Sequence, residues 1–440
     1  MKLQDLKNKK IVVLGMGINH EKLASHLRKH QIQFDTIEQW KNPDELVTKL
    51  EKYQVVFRTP GLPFLSEAVQ RVIRRGGRVT SQTQLFFGLC PAPIIGVTGT
   101  KGKGTTATLL SKILEMGSGR KIWLAGNIGL DPFDFLEKLR PEDLVVLELS
   151  SFQLQDMSRS PHVAVVLKIT PEHLDHHRDF REYVLAKENI VKHQKNTDFA
   201  VVNYDSEVTR EFAKFSLGKI FWNSTEEPVK PGCFIRSEKI ILADEKREIE
   251  VMQTGEVRLL GRFNLENVTA AIAAAAAVGV SDPVVIREVV SGFEGLPHRL
   301  EFVRSVGNVK FYNDSFATTP ETTMAALSAF SEPTVLIVGG SEKNADYTQL
   351  GSTIAGSKVA ALLPIGKTGP RIAESARRAG YRGKILDRAF GNMEEIVVVA
   401  NEVARPGDVV LLSPASASLD MFSNYKHRGE LFKKFVSRLK

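Results

Sequence analysis

Cysteine is nearly absent: Cys90 and Cys233 are the only two in 440 residues, far apart and without metal-ligand spacing. A disulfide framework and a cysteine zinc site are thereby excluded, and a reducing compartment is favoured. Long hydrophobic runs are missing as well. The longest small-apolar stretch, Thr269 to Val280, is mostly alanine. It falls far short of the about 20 residues of a membrane span and is expected to be a buried helix packed closely on a sheet. The opening segment, MKLQDLKNKKIVVLGMG, is basic but offers only a strand-length apolar run. A signal peptide is not expected, nor membrane insertion; a cytoplasmic location is. The sequence also lacks a Lys/Arg block, an internal repeat, a low-complexity tract and any interleaving of aromatic with basic residues. Nucleic acid is therefore not the expected partner of the formal charge of +8, which small anionic substrates would match.

What is present is an ordinary globular composition, 42% hydrophobic and 25% charged, in a chain long enough for two to three domains. Short β-branched runs alternate with helical patterns, which argues for an α/β fold of parallel sheets with crossover helices. Strands are expected at Ile11–Leu14, Val55–Phe57, Ile94–Val97, Leu144–Leu149, Val163–Ile169, Ala200–Asn203, Val335–Val338, Ala360–Leu363 and Val409–Leu412. Residues 205–260 differ, being mixed polar with short strand-like pieces such as Lys239–Leu242, and are expected to form an irregular or antiparallel excursion. CPAP at 90–93 and GLPHR at 295–299 mark boundaries for domains at 1–91, 92–297 and 298–440.

The strongest local signal is IIGVTGTKGKGTTATLLSKIL at 94–114. An apolar strand enters a glycine-rich turn, and a helix follows with Leu109, Leu110, Ile113 and Leu114 on its apolar positions. Backbone N–H groups of Gly99, Thr100, Lys101, Gly102, Gly104 and Thr106 can curl around a phosphate, and Lys103 can reach the β/γ-phosphates. The strict phosphate-loop pattern is not met. Val97 stands at its first glycine and Gly104 follows the lysine, leaving Thr105 as the hydroxyl ligand for Mg²⁺. Gly15-Met16-Gly17 also follows a strand, but His20 stands where a third glycine would complete a dinucleotide fingerprint.

Glu148 ends the strand before SSFQL, where a carboxylate would hold a nucleotide-bound Mg²⁺; a buried Glu–Lys pair is the bland alternative. ITPEHLDHHRDF gathers His173, Asp175, His176 and His177 in one loop, which invites metal or phosphate chemistry or holds idle surface histidines. Lys187 lies between Ala186 and Ile190 on an amphipathic helix, and by itself it is a snorkelling surface lysine.

Taken together and in order, these segments resemble the Mur ligases, nearest to the branch that adds glutamate. The phosphate loop, GNIG at 126–129, ELSSFQL at 148–154, TPEHLDHH at 170–177 and AK at 186–187 match the family's ATPase domain. GRFNLENVTAA at 261–271, GLPHRLE at 295–301, NDSFATTPETT at 313–323 and LLSPASASLDMF at 411–422 follow, so the match spans essentially the whole chain.

The resemblance implies a Rossmann-like UDP-binding domain, a central P-loop ATPase domain with a mostly parallel sheet, and a Rossmann-like C-terminal domain. It implies ATP and two Mg²⁺ as cofactors, UDP-N-acetylmuramoyl-L-alanine and glutamate, D-glutamate in this branch, as substrates, and a monomer. Lys103, His173 and Lys187 would be catalytic. Thr105, Glu148, His173 and a carbamylated Lys187 would hold the metals. Asn264, Asn267, Arg299 and Asp314 would contact ATP; Gly15, Met16, Gly17, Ile18, Asn19, Thr59, Pro60, Gly61, Asn127 and Ser150 the UDP substrate; and Thr318, Lys343, Ser418 and Tyr425 the glutamate. Two departures stand out. The branch commonly reads DSKATN where this chain has DSFATT, putting Phe316 at a lysine position, and GKGT resembles the folylpolyglutamate synthases, a sister family that is one alternative. A P-loop switch or nucleic-acid-stimulated ATPase is the alternative of another class.

Overall fold

The computed structural model describes residues 1–440 apart from Asn127, Ile128, Leu174, Asp175 and Lys343, and for Ile18 and Asn19 the backbone alone. The fold is α/β, with the described residues in three sheets. The first comprises β1 (Ile11–Leu14), β2 (Asp35–Ile37), β3 (Val55–Phe57) and β4 (Arg78–Thr80), all parallel, in the order β2-β1-β3-β4. Its central strands are wholly buried because helices cover both faces. Val12 and Leu14 face a core with Leu46 and Val69, whereas Ile11 and Val13 face Leu23 and Leu27 of the helix Ile18–Lys29. The strand alternation thus feeds two cores at once, which is why these strands are uninterrupted apolar runs.

The second sheet has nine strands: β5 (Ile94–Thr98), β6 (Ile122–Gly126), β7 (Leu144–Glu148), β8 (Val163–Val166), β9 (Phe199–Asn203), β10 (Lys219–Ser224), β11 (Gly232–Arg236), β12 (Lys239–Ala243) and β13 (Glu248–Gln253). Their order is β13-β12-β11-β10-β9-β8-β5-β7-β6. The excursion expected at 205–260 is thus the continuation of this sheet. β9, β10 and β11 pair in parallel, and only β11–β12 and β12–β13 are antiparallel. β8 stops at Val166, short of the expected Ile169, because the chain turns to the neighbouring loop: Leu167 N donates to Thr98 O at 2.9 Å and Thr100 N to Lys168 O at 3.0 Å. The alanine-rich segment lies in the helix Phe263–Ala277, with Ala270 to Ala275 fully buried.

The third sheet has β14 (Glu301–Val306), β15 (Val309–Asn313), β16 (Thr334–Gly339), β17 (Val359–Ile365), β18 (Lys384–Ile385) and β19 (Val409–Leu412), in the order β14-β15-β19-β16-β17-β18. All its pairings are parallel except β14–β15. The chain divides into two compact units: Met1–Val257 with Leu265–Gly292, and Arg258–Asn264 with Phe293–Lys440. Inside the first, Arg58 ties two sheets together. Fully buried, it donates to Leu62 O at 2.6 Å beside its own strand and to Phe152 O at 2.8 Å across it, with Asp156 Oδ1 at 3.4 Å. Among the described residues no helix is long and apolar enough to cross a membrane.

In the second unit Arg428, on the helix Tyr425–Val436, is fully buried. It donates to Ser315 Oγ at 2.9 Å, Ser315 O at 2.8 Å and Ser416 O at 3.1 Å, and burial lowers its pKa to about 10. Arg428→Met removes these donors and strands the acceptors. It should cost about 3 kcal/mol in urea unfolding of that unit, and a loss below about 1 kcal/mol would show the network to be dispensable.

Candidate functional site

In the second sheet β5 lies between β7 and β8, in parallel with both, so the carboxyl ends of the three strands stand side by side. That is where open α/β sheets bind ligands. The glycine-rich turn emerges here from β5. Gly99, at φ +153, has its position closed to any side chain: a Cβ would lie 2.6 Å from Leu167 Cβ. Gly102, at φ +84, caps the helix Lys103–Gly117, and a Cβ there would meet Asn267 Oδ1 at 2.0 Å. Asn267 is thereby seated against the turn, and its Oδ1 accepts from Thr106 Oγ1 at 3.2 Å. Thr105 is buried in the first turn of that helix.

Two lysines converge on this turn. Lys103 Nζ donates to Thr100 O at 2.9 Å and Gly99 O at 3.2 Å. Lys187, on the helix Phe180–Lys192, is 1% exposed, and its Nζ donates to the same Gly99 O at 2.8 Å and lies 4.7 Å from the centre of the Tyr183 ring. The snorkelling expectation for Lys187 is therefore overturned, because the side chain runs inward under the phosphate loop. Burial first, and the Lys103 ammonium second, hold its pKa well below the usual lysine range. Lys101 is ion-paired with Glu172.

Glu148 closes β7, buried between Val97 of β5 and Gly126 of β6. Its Oε2 has no hydrogen-bond partner among the described residues, a costly state that a cation would relieve. His173 has φ +57 and an exposed ring, 3.9 Å from Glu172 Oε2 and 5.0 Å from the Phe152 ring. Ser150 is the N-cap of the short helix Ser151–Leu154, its hydroxyl bonded within a capping box with Gln153.

At the end of β1, Gly15 takes φ +69 and a Cβ on it would touch Thr59 at 3.9 Å, so the turns 15–17 and 59–61 adjoin. Met16, Thr59 and Pro60 are half-buried, and Gly17 and Gly61 exposed. The side chains of Ile18 and Asn19, and all of Asn127 and Lys343, lie outside the described residues.

In the second unit the carboxyl ends of β15 and β19 carry the polar groups. Asp314 is buried, accepting from Ser413 Oγ at 2.8 Å and Leu300 N at 3.2 Å. Burial pushes its pKa up to about 7. Thr318 is half-buried and Ser418 buried. Tyr425 O accepts from Ser315 Oγ at 2.8 Å, and the Tyr425 ring meets Phe316 edge-on at 5.1 Å. The Arg299 guanidinium sits 4.0 Å over the other ring of that pair, Phe316. Asn264 Nδ2 donates to Leu260 O at 2.7 Å.

Sequence reasoning missed a buried polar cluster in the first unit. His177 bonds Ser151 Oγ through Nε2 at 3.0 Å and Gln155 Nε2 through Nδ1 at 3.2 Å, with Glu182 Oε1 3.6 Å away. Its place in the histidine-rich loop was the available signal. Arg58 was missed too, although a charged residue directly after the apolar strand VVF is itself a sign.

The chain matches two family descriptions: Mur ligase middle domain over residues 97–275, and Mur ligase, glutamate ligase domain, over 298–416. It is 40% identical to the UDP-N-acetylmuramoylalanine–D-glutamate ligase of Acetivibrio thermocellus, over 99% of this chain and 97% of that protein. It is 42% identical to the protein of the same name from Symbiobacterium thermophilum, over 89% and 85%. Among solved structures it resembles MurF from Acinetobacter baumannii, with TM-score 0.63, 21% identity and 82% of each chain covered. It also resembles MurF of Thermotoga maritima in complex with ADP, with TM-score 0.59, 18% identity and 99% and 97% covered. At such identities these two likenesses bear on fold alone.

The raised pKa of Asp314 has a measurable consequence. Its folded value, about 7, lies above the ordinary 3.8, so the folded state binds the proton more tightly. The stability it lends is complete below the ordinary value and is lost as pH rises through the folded one. Asp314→Asn should flatten the pH dependence of unfolding free energy across that window, and an unchanged slope in urea titrations would contradict it.

Proposed function

The chain belongs to the Mur ligase family, and from that premise we propose that it joins D-glutamate to UDP-N-acetylmuramoyl-L-alanine, with ATP consumed, in peptidoglycan precursor synthesis. The observation that carries the reading is the convergence of Lys103 and Lys187 on the phosphate loop beside a buried carboxylate, Glu148. The names of near-full-length relatives supply the substrates. The four-stranded sheet ahead of the phosphate loop supports a dedicated UDP-binding region at 1–91, with 92–297 and 298–440 as the ATPase and amino-acid domains. We place the enzyme in the cytoplasm, as a monomer.

The substrate carboxylate attacks the γ-phosphorus of ATP and ADP leaves. The glutamate nitrogen then attacks the acyl phosphate carbon, and phosphate departs as the tetrahedral intermediate collapses. The Lys103 ammonium follows the charge on the transferred phosphoryl oxygens, swinging from the carbonyls of Gly99 and Thr100 to the nucleotide. Backbone N–H groups from Gly99 to Thr106 cradle the phosphates at the helix N-terminus. Glu148 and Thr105 fit one Mg²⁺, on the evidence of the unpartnered Glu148 Oε2. His173 and Lys187 are assigned to a second. An amine is no ligand for Mg²⁺, but a depressed pKa favours the neutral form that reacts with CO₂, and the resulting carbamate is anionic while keeping one N–H for Gly99 O. Two Mg²⁺ ions, when bound, would offset the negative charge of the triphosphate. Asn264, Asn267, Arg299 and Asp314 are assigned to the nucleotide, and Thr318, Lys343, Ser418 and Tyr425 to glutamate. Gly15–Asn19, Thr59–Gly61, Asn127 and Ser150 are assigned to the UDP substrate.

A panel of amino acids, both enantiomers of glutamate included, offered with UDP-N-acetylmuramoyl-L-alanine and ATP tests the reading by phosphate release and product mass. D-glutamate should give the single product, and no product with any amino acid would refute it. Lys103→Ala should lower phosphate release by at least roughly 10²-fold with the fold intact. Lys187→Ala should lower activity steeply, with partial recovery in a short-chain carboxylic acid that fills the place of the carbamate. Full activity of Lys187→Ala at saturating ATP would refute the carbamate role.

A further inference from the structure

Far along the sequence from the phosphate loop, the helix Ile18–Lys29 presents one face to the segment Pro132–Lys138 that joins β6 to β7. Lys22 pairs with Asp134 at 2.7 Å and Lys29 with Glu137. On the same side stand two histidines four residues apart, His26 in the helix and His30 at its C-cap, the spacing that puts two imidazoles on one helix face. Their ring centroids are 4.5 Å apart. Glu137 Oε1 lies 3.9 Å from His26 Nδ1 and 3.7 Å from His30 Nε2, and one ligand atom from each of the three residues lies within 4.8 Å of the others.

We propose that His26, His30 and Glu137 form a binding site for one divalent first-row transition cation of the Zn²⁺ class, separate from the ATP site. Two imidazoles and a carboxylate are a borderline donor set that suits Zn²⁺ and its neighbours and is poor for Mg²⁺. In a tetrahedral site the ligand atoms stand about 3.3 Å apart. The observed 3.7 and 3.9 Å are reached from that by a rotamer adjustment of roughly half an ångström. His26 is the anchor. It is buried, and its Nδ1, the ring nitrogen nearest Glu137, is beyond hydrogen-bond reach of that carboxylate. His30 and Glu137 are partly exposed, so the fourth position is open to water and the ion has an entry path. The Lys29 ammonium, paired with Glu137, is the competitor that the cation displaces. Bound there, the ion cross-links a helix of the first sheet to a connection of the second.

The full-length enzyme in excess Mg²⁺ is titrated with Co²⁺ and followed by visible absorption, then with Zn²⁺ and followed by thermal unfolding. One equivalent of Co²⁺ should give the intense spectrum of four-coordinate cobalt, and Zn²⁺ should raise the melting temperature. His30→Ala and Glu137→Gln, at surface positions, should each weaken binding at least about tenfold and abolish the thermal shift. Lys29→Gln should tighten it. Absence of the four-coordinate spectrum, or binding unchanged in both His30→Ala and Glu137→Gln, would overturn the site, as would unchanged affinity in Lys29→Gln.

Discussion

Two ammonium groups on one carbonyl is the constraint around which the first unit is arranged. Gly99 O accepts from both Lys103 and Lys187, and Gly99 can stand there only because it has no side chain to strike Leu167. Like charges held so close, one of them without solvent, cannot both remain protonated at ordinary cost. The strain falls on Lys187, because Lys103 sits at the mouth of the turn while Lys187 is sealed beneath it. The loop after β8 follows from the same arrangement. Thr100 Oγ1 accepts from Thr170 N at 2.9 Å and meets the Tyr183 hydroxyl at 3.1 Å, so the histidine-bearing segment is hung from the phosphate turn.

Both units use one device, polar residues placed where apolar parallel strands end. Glu148 in the first and Asp314 in the second are carboxylates drawn in from solvent at a sheet edge, yet they are handled differently. Glu148 Oε2 lacks a hydrogen-bond partner among the described residues, whereas Asp314 is held by a hydroxyl and a backbone N–H and has its pKa raised by burial. Phe316 shows the device adapted. At Phe316 this chain stacks an aromatic ring under Arg299 and against Tyr425, which fixes the guanidinium in a cation–π contact.

Much of this was legible in the sequence. Apolar runs located the central strands because those strands are covered on both faces, and the glycine turn announced itself by composition. Edge and short strands were not: β2, with Asp35 and Thr36 exposed, and two-residue β18 carry no apolar run to detect. Lys187 is the instructive miss. Helical periodicity assigns a lysine between apolar neighbours to the surface, since propensity and pattern contain nothing about a carbonyl 88 positions away. Arg58 and Arg428 escaped for the same reason, each being buried by partners distant in sequence. The family pattern picked out Lys187 where the physics of a single helix could not.

The nine-stranded sheet has an outermost strand, β13, whose backbone groups on one side have no strand to pair with among the described residues. An edge of that kind is an invitation to another chain. Here it is studded with charge: Glu250 is engaged by Lys239 of the adjoining β12, and Glu248 by Arg236 at the end of β11 and Lys230 just before it. A second molecule adding a strand would have to strip water from these pairs over the whole contact. The antiparallel hairpin that closes the sheet thus works as a fence, letting a wide, mostly parallel sheet exist at high concentration without growing into its neighbours.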